Sequence, residues 1–307
     1  MFQNNLDRLT AQRVLYSSAK TVMGIQLILC VPVIILFSLS AQYLKSSCFV
    51  TQFNRPIIDI SWIVAALGVS IALFDGLCLS PIIVKLKELA AKIQELFDCD
   101  VLHLDWNTIA TGSKPNAEDI IENATKYKKI EPDFKSLQNW YARGIGEIEL
   151  GVARILCQRS NIRWDIDLRK KVNVSLYILT TLTFIVLLLI GIIGEFNINK
   201  FIMVVIAPCL PIFQFSIRYV YFNKKAIVFL KNLKHEAEKA WNDASNSNLS
   251  NVQLEDTARK LQDMIYINRK TNPLIFDKIY SLYKSKQENS MNYSCDQMIS
   301  EYKNRIS

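Results

Sequence analysis

Four long apolar segments, almost free of charged residues, restrict the possible folds of this chain more than any other feature of its sequence. They cover approximately 21–44, 57–79, 172–193 and 201–222. Each supplies the roughly 20 apolar residues that a helix needs to cross a hydrocarbon layer about 30 Å thick. A backbone in hydrocarbon must satisfy its own hydrogen bonds, so such segments cross as helices. The sequence therefore predicts an all-α membrane protein with four transmembrane helices arranged as two hairpins.

The composition agrees with this prediction and excludes several other classes. Half of the 307 residues are apolar and the mean hydropathy is +0.16, which is high for a soluble domain. The seven Cys are scattered without a CxxC pair, and there are only two His. Metal clusters and disulfide scaffolds are therefore not expected.

The distribution of Lys and Arg predicts the sidedness of the segments, because these residues resist translocation. Three precede the first segment and two follow it, whereas fifteen lie in 80–171. The connection 194–200 holds one, and fourteen follow residue 222. We therefore expect both termini and the middle region to be cytoplasmic, with helical structure in each. The predicted regions are an amphipathic head (1–20), the first hairpin (21–84), a cytoplasmic region (85–171), the second hairpin (172–222) and a cytoplasmic tail (223–307).

Helical periodicity predicts how the cytoplasmic regions are built. The second segment continues past Lys85 as an amphipathic helix, and a further helix ends near Tyr127. A long pattern from Phe134 to Lys171 leads into the third segment without a break. The tail holds predicted helices at 226–241 and 252–269, joined by a polar linker. The head is predicted either to lie on the membrane surface or to pack on the cytoplasmic helices.

The sequence offers no convincing catalytic centre. His103 and His235 are isolated, and HExxH, GxxxxGK[ST] and GxSxG are all missing. Gly144-Ile145-Gly146 lacks the preceding strand of a dinucleotide fingerprint, so helix packing is the preferred interpretation. We expect a protein that is not an enzyme and needs no cofactor or metal.

Polar residues inside the apolar segments are candidates for a pore or a gate. Asp75 lies beside a stripe of small residues near the end of the second segment. Burial of a carboxylate in lipid is energetically costly, so Asp75 either has a function there or lies close enough to the membrane surface to reach the headgroups. Arg218 falls about equally far along the fourth segment, so we hypothesise that it pairs with Asp75. The other candidates are Gln26, Thr180, Thr183 and Gln214. Such residues either line a pore or bond to their own backbone.

The helix before the third segment carries the densest chemical pattern. Guanidinium groups bind phosphate through paired hydrogen bonds, and aromatic faces stack on bases, so this helix suits a nucleotide. The alternative is an ordinary membrane-proximal helix with a surface pair between Arg163 and Asp167 and aromatic anchors at the interface. The candidate ligand residues are Trp140, Tyr141, Arg143, Arg154, Arg159, Asn161, Arg163 and Arg169.

Several motifs, in their order around the two hairpins, resemble those of the SMODS-associated four-transmembrane effectors. They are 11–20 (AQRVLYSSAK), 94–98 (QELFD), Trp106-Asn107, Asn139-Trp140-Tyr141, 157–161 (CQRSN), Trp164-Asp165, Leu168-Arg169, and Asn272-Pro273 with Asp277 and Tyr280. Asp105 departs from the family pattern, which usually has Pro before the Trp-Asn pair. The resemblance extends over nearly the whole chain.

The resemblance implies a pore-forming effector of antiphage defence in the bacterial inner membrane. It implies a cyclic oligonucleotide as the signal and adds Trp106 and Asn107 to the candidate ligand residues. Four helices with so few polar faces cannot enclose a water-filled channel alone, so we expect a homo-oligomer in the lipid bilayer. We do not expect the protein to bind DNA or RNA. Two alternatives stay open: a non-conducting scaffold that recruits a cytoplasmic partner, and a small-solute transporter, for which inverted repeats would be expected.

Overall fold

The described part of the chain is built from helices, which confirms the all-α prediction. The computed structural model describes residues 2–44, 51, 53, 56, 58–134, 137, 140–193, 197–202, 206–246 and 248–306. The α-helices are α1 (Phe2–Ile28), α2 (Ile34–Leu44), α3 (Ser61–Phe74), α4 (Ser80–Leu102), α5 (Thr108–Thr111), α6 (Ala117–Lys128), α7 (Leu150–Ile193), α8 (Ile198–Phe201), α9 (Ala207–Ser245), α10 (Asn251–Thr271) and α11 (Asp277–Ile306). Two π-helical turns, Leu29–Val33 and Asp75–Leu79, join α1 to α2 and α3 to α4.

The helices form two compact units. The first unit consists of Met1–Ala19, Lys85–Val172 and Phe222–Ser307, and the second of Lys20–Val84 and Asn173–Tyr221. At each of the four crossings the chain passes from one unit to the other within a helix, namely α1, α4, α7 or α9.

The first unit has an ordinary apolar core. Leu156 of α7, Leu230 of α9, Leu261 of α10 and Tyr302 of α11 belong to one buried cluster. A second cluster joins Ala11 and Leu15 of α1 to Ala90, Ile93 and Leu96 of α4 and to Ile120 of α6. Of the two interpretations of the head, the structure therefore favours packing on the neighbouring helices.

The second unit distributes its apolar residues differently. Large side chains are exposed along it, including Trp62 (71%), Leu77 (75%) and Ile193 (80%). The buried apolar residues of its described part are Met23, Ala41, Ile71, Leu79, Tyr219 and Val220. Within the described ranges, one helical stretch, Trp62–Leu102, has both the length and the apolar composition that a membrane crossing requires.

Some predicted boundaries are wrong. The long helix does not begin at Phe134: a 3₁₀ turn occupies Arg143–Glu147, and α7 starts at Leu150. A Cβ on Gly144 would lie 3.1 Å from Ile299 Cδ1, so this glycine permits close packing from within a 3₁₀ turn rather than from an α-helix. The predicted helical tail (223–307) includes α11, but no separate helix is predicted at Asp277–Ile306. The loop 45–50, the hairpin residues Gly194-Glu195-Phe196 and Asn139 lie outside the described residues.

Candidate functional site

Two carboxylates lie in the centre of the first unit, where α4 packs against α10. Glu95 and Asp98 are one turn apart on α4, and both are 0% exposed. Arg259 Nη2 lies 2.6 Å from Glu95 Oε1, and Arg269 Nη1 lies 2.5 Å from Asp98 Oδ2. Each buried carboxylate thus has a guanidinium partner, as burial of a charge requires.

Two buried glutamines connect these ion pairs and add a third helix. Gln262 Nε2 donates to Glu95 Oε2 at 2.8 Å and to Asp98 Oδ2 at 2.9 Å. Gln158 of α7 donates to Gln262 Oε1 at 3.1 Å and to the Ala258 carbonyl at 2.7 Å. We call Glu95, Asp98, Gln158, Arg259, Gln262 and Arg269 the acid–arginine network. It links α4, α7 and α10 through hydrogen bonds to charged groups, which are stronger than neutral ones.

Burial dominates the electrostatics of this region. It raises the pKa of Glu95, an effect that the nearby Asp98 charge reinforces and Arg259 opposes. Burial also raises the pKa of the Cys99 thiol to about 12 and that of the Tyr141 phenol well above its usual value. Cys99 and Tyr141 are therefore protonated at neutral pH, the opposite of what a nucleophile needs.

The predicted ligand arginines on α7 have partners within the protein. Arg154 donates to the carbonyls of Leu102 (2.6 Å) and His103 (2.5 Å) and so caps the end of α4. Arg159 Nη2 lies 3.1 Å from Glu238 Oε1 of α9.

The other two arginines of α7 have different surroundings. Arg169 is buried and donates to Asn223 Oδ1 (2.6 Å) and to the Pro273 carbonyl (3.2 Å). Arg163 is exposed and lies 3.0 Å from Asp167, as expected for a surface pair on one helix.

The remaining predicted ligand residues lie at several places. The Tyr141 hydroxyl donates to Asp98 Oδ1 at 2.9 Å and is 3.5 Å from Asn161 Nδ2, so these two residues border the network. Trp140 packs edge-on against Phe97. Trp106 Nε1 donates to the Gly112 carbonyl at 2.9 Å.

Asn107 caps α5 and donates to Asp263 at 2.8 Å. The Arg143 side chain lies outside the described residues. The described members of the predicted set contact different elements and do not form one cluster of unpaired donors.

The sequence pattern assigns no function to the acid–arginine network. Glu95 and Asp98 belong to the motif at 94–98 (QELFD), for which no role is predicted. Their signal was present, because two carboxylates three residues apart interrupt an apolar face of α4. Arg259, Gln262 and Arg269 lie far away in the sequence, and no spacing rule connects them to α4.

The candidate pore residues lie in the second unit. Asp75 begins a π-helical turn, and its Oδ1 accepts from Ser80 Oγ at 3.3 Å, while Gln26 Nε2 lies 3.5 Å from the same hydroxyl. Among the described residues, Asp75 and Arg218 form no ion pair in this conformation, so their pairing stays a prediction.

Two of the other candidates in this unit, Thr180 and Thr183, donate hydrogen bonds to the backbone of their own helix. Thr180 and Thr183 donate to the carbonyls of Leu176 (2.8 Å) and Leu179 (2.9 Å). Thr180 also contacts Ser216 of α9 at 2.8 Å. Gln214 and Arg218 are exposed.

Comparison with known proteins identifies the class of this helical protein. The family model of the SMODS-associating 4TM effector domain matches residues 2–298, and the chain therefore belongs to that family. The resemblance carried by the sequence motifs is thereby confirmed.

A curated relative agrees with the family assignment. Over 205 residues the chain is 28% identical to a "Probable CBASS effector molecule" of Bacillus cereus (strain VD146), which covers 66% of this chain and 67% of that protein. Family membership supports an antiphage effector role. No solved structure matches the chain.

Proposed function

We propose that this protein is a membrane-permeabilising effector that responds to a cyclic oligonucleotide. The second unit would lie in the bacterial inner membrane as two helical hairpins, and the first unit, with both termini, would lie in the cytoplasm. Signal binding to the first unit would lead several copies to open a pore. No catalytic step is part of this proposal.

The observation that carries the proposal is the exposure of large apolar side chains on the second unit. Soluble proteins rarely expose contiguous apolar patches larger than a few hundred Å². Each Å² of apolar surface in contact with water costs roughly 25 cal/mol of free energy. Exposure of the second unit to water is therefore unfavourable, and contact with lipid is favoured. The exposed residues Trp62 and Leu77 lie on the second predicted span and Ile193 lies at the end of the third.

Self-association follows from how few polar groups the second unit presents. Its described polar contacts include the Gln26, Ser80 and Asp75 group and the pair of Thr180 and Ser216. A single chain with so few polar faces cannot line a water-filled channel. Several copies would bring the Asp75 carboxylates around one axis, as rings of acidic residues do in cation pores.

The route from signal to pore would run along continuous helices. The 44-residue helix α7 begins in the first unit and continues to Ile193 in the second. A shift at one end of a rigid helix moves the other end.

A pair of matched substitutions tests the membrane assignment. Val69 in the second unit is 62% exposed and Val228 in the first is 59% exposed. Val69→Lys should strongly reduce membrane insertion, because a lysine in the bilayer centre costs about 3 kcal/mol, whereas Val228→Lys should have little effect. Insertion is measured as the fraction that resists carbonate extraction from bacterial membranes. Equal behaviour of the two variants would refute the assignment.

Dye release tests the permeabilising activity. Liposomes that contain the wild-type protein should release carboxyfluorescein when a cyclic di- or trinucleotide from a panel is added. Liposomes with Val69→Lys should not release it. Retention of the dye under every ligand would favour the non-conducting scaffold.

A further inference from the structure

The first turns of α11 lie at the edge of the first unit, beside two of the crossings. Asp277 Oδ2 accepts a hydrogen bond from Ser17 Oγ at 3.2 Å, and Lys171 Nζ lies 4.9 Å from the centre of the Tyr283 ring. Ser17 and Lys171 are each within two residues of a crossing, at residues 19 and 172. The start of α11 is therefore level with the points where α1 and α7 leave the first unit.

Aromatic and polar contacts fix the orientation of these turns. The Tyr280 ring packs against Trp164, with ring centres 6.3 Å apart, and the Arg13 guanidinium carbon lies 5.0 Å from the centre of the Tyr280 ring. Gln287 Nε2 donates to the Trp164 carbonyl at 3.1 Å. One face of α11 is thus held against α1 and α7, and the opposite face points away from both helices.

The outward face of these turns combines an apolar side chain with positive charge. Lys278, Leu282 and Lys286 follow at intervals of four residues, so they share one side of the helix, and all three are exposed. Leu282 is 78% exposed. On a neighbouring side, Glu288 lies 3.6 Å from Lys284, so these two charges offset each other. Exposed apolar residues beside lysines are typical of helices that contact an anionic membrane surface.

More cations lie around the same edge of the first unit. Arg169 donates to Asn223 Oδ1 of α9 at 2.6 Å and to the carbonyl of Pro273, just before α11, at 3.2 Å. The start of α11 is therefore close to the part of α9 where Lys224 and Lys225 are exposed. We use the name basic rim for the exposed and half-exposed lysines of this edge, which are Lys170, Lys171, Lys224, Lys225 and Lys278.

The carboxylates beside the basic rim offset only part of its charge. Asp165 and Asp167 each lie 3.0 Å from an arginine of the same helix, and Asp167 is also 3.7 Å from Lys170. Asp277 accepts the hydrogen bond from Ser17. The five lysines outnumber these three carboxylates, so the rim carries a net positive charge.

The proposed membrane arrangement places the basic rim in the headgroup layer. The interfacial layers add roughly 5–8 Å to each side of the hydrocarbon core. A helix rises about 1.5 Å per residue, so residues within about four positions of a crossing lie in this layer. Lys170 and Lys171 come just before the crossing at residue 172, and Lys224 and Lys225 come just after the one at residue 222. Lys278 is at the same level through the contacts of α11 with α1.

We propose that the basic rim and Leu282 form a docking surface for anionic phospholipids of the inner leaflet, with the lysines on headgroup phosphates and Leu282 inserted below them. This inference rests on the proposed function and specifies a lipid partner for the first unit. A single exposed leucine is normal on a surface in water. Leu282 differs because it lies between two lysines and level with the crossings. Since α11 also contacts α1 and α7, bound lipid would hold these helices where they enter the bilayer.

A fluorescent probe at position 282 of the full-length protein tests this proposal. Leu282→Cys in a Cys48→Ser background is labelled with nitrobenzoxadiazole and placed in nanodiscs that hold one copy each, and the signal of the labelled parent is subtracted. When the nanodiscs contain phosphatidylglycerol, lipids with a nitroxide near the headgroup should quench the probe. Tyr293→Cys is the control, because Tyr293 is similarly exposed (73%) but lies about 16 Å further along α11. Its probe should stay unquenched.

Lys278→Gln tests the electrostatic part of the proposal. One lysine near an anionic surface contributes about 1 kcal/mol, so the ratio of lipid-bound to unbound probe at position 282 should fall about fivefold. Lys129→Gln is the matched control, since Lys129 is exposed and its neighbour Lys128 lies 3.6 Å from Asp7, far from the crossing of α1. The control should leave the quenching unchanged, and both variants should keep the wild-type melting temperature.

Three results would overturn the proposal. The first is a probe at position 282 that stays in water when phosphatidylglycerol is present. The second is equal quenching in nanodiscs of phosphatidylcholine alone, which would show that charge has no part in the contact. The third is quenching only in nanodiscs with two copies, which would assign Leu282 to a contact between copies. Carbonate extraction of Leu282→Cys, measured in parallel, distinguishes each of these results from a failure of the membrane assignment.

Discussion

Asp98 receives more buried contacts than its position in the sequence suggests. It accepts hydrogen bonds from Arg269, Gln262 and Tyr141, which come from α10 and from the segment before α7. The sequence predicted arginines that bind a ligand, yet Arg154 and Arg169 mainly bind protein carbonyls and side chains. Which role an arginine has depends on the helices that pack around it, and residue spacing within one helix does not contain that information.

Removal of the Asp98 carboxylate should destabilise the first unit. Asp98→Ala leaves Arg269 buried without its partner, and breaking a buried pair in this way costs about 3–5 kcal/mol. Asp256→Ala is the control, because Asp256 pairs with Lys260 on the exposed side of α10 at 2.6 Å and such pairs contribute about 0–1 kcal/mol. The free energy of unfolding in detergent micelles measures both. Equal losses would show that the network does not stabilise the fold.

Buried thiols and phenols should make the protein sensitive to alkaline pH. Burial raises the pKa of Cys99 from 9.0 to about 12 and that of Tyr266 from 10.0 to about 12. Between pH 9 and 12 the unfolded chain releases protons that the folded chain keeps, so stability falls as pH rises, by up to about 1.4 kcal/mol per pH unit for each group. Cys99→Ala should therefore show a shallower loss of melting temperature between pH 9 and 11. A slope identical to that of the wild type would contradict this explanation.

At the scale of single elements, helices with apolar periodicity were predictable and polar ones were not. The helix α6 ends at Lys128, close to the predicted Tyr127, and the pattern continuing into the third segment corresponds to the later part of α7. By contrast, α11 has a polar sequence, and its buried row is Gln287, Cys295, Ile299 and Tyr302. A row with one aliphatic residue gives no amphipathic signal, so only packing against the other helices reveals it.

The π-helical turn at Asp75–Leu79 places a carboxylate near the end of the apolar second segment. Such turns often occur at functional sites, and here the turn places Asp75 within hydrogen-bond reach of Ser80. If copies of the chain form a pore, Asp75→Asn should lower its preference for cations over anions, measured as a reversal potential in planar bilayers. Glu118→Gln, on the exposed face of α6, is the control and should leave the potential unchanged. A wild-type potential for Asp75→Asn would place this carboxylate away from the conduction path.

At the scale of the whole molecule, the two units follow opposite rules of burial. The first buries its apolar side chains in shared clusters, whereas the second exposes many of its largest ones. The sequence predicted this division from charge-free segments alone, since hydropathy is a local property. The way the first unit gathers its charges at α10 depends on contacts between distant segments, such as Lys87 with Asn272, and was not predictable.

Labelling of cysteines in living cells tests the proposed division between lipid and cytoplasm most directly. A membrane-impermeant maleimide should label native Cys48 in cells whose outer membrane is permeabilised. In a Cys48→Ser background, Ser113→Cys and Asn304→Cys, both at exposed positions of the first unit, should be labelled only after the inner membrane is opened. Labelling of Ser113→Cys while the inner membrane is intact would place the region rich in Lys and Arg outside the cell and contradict the proposed topology.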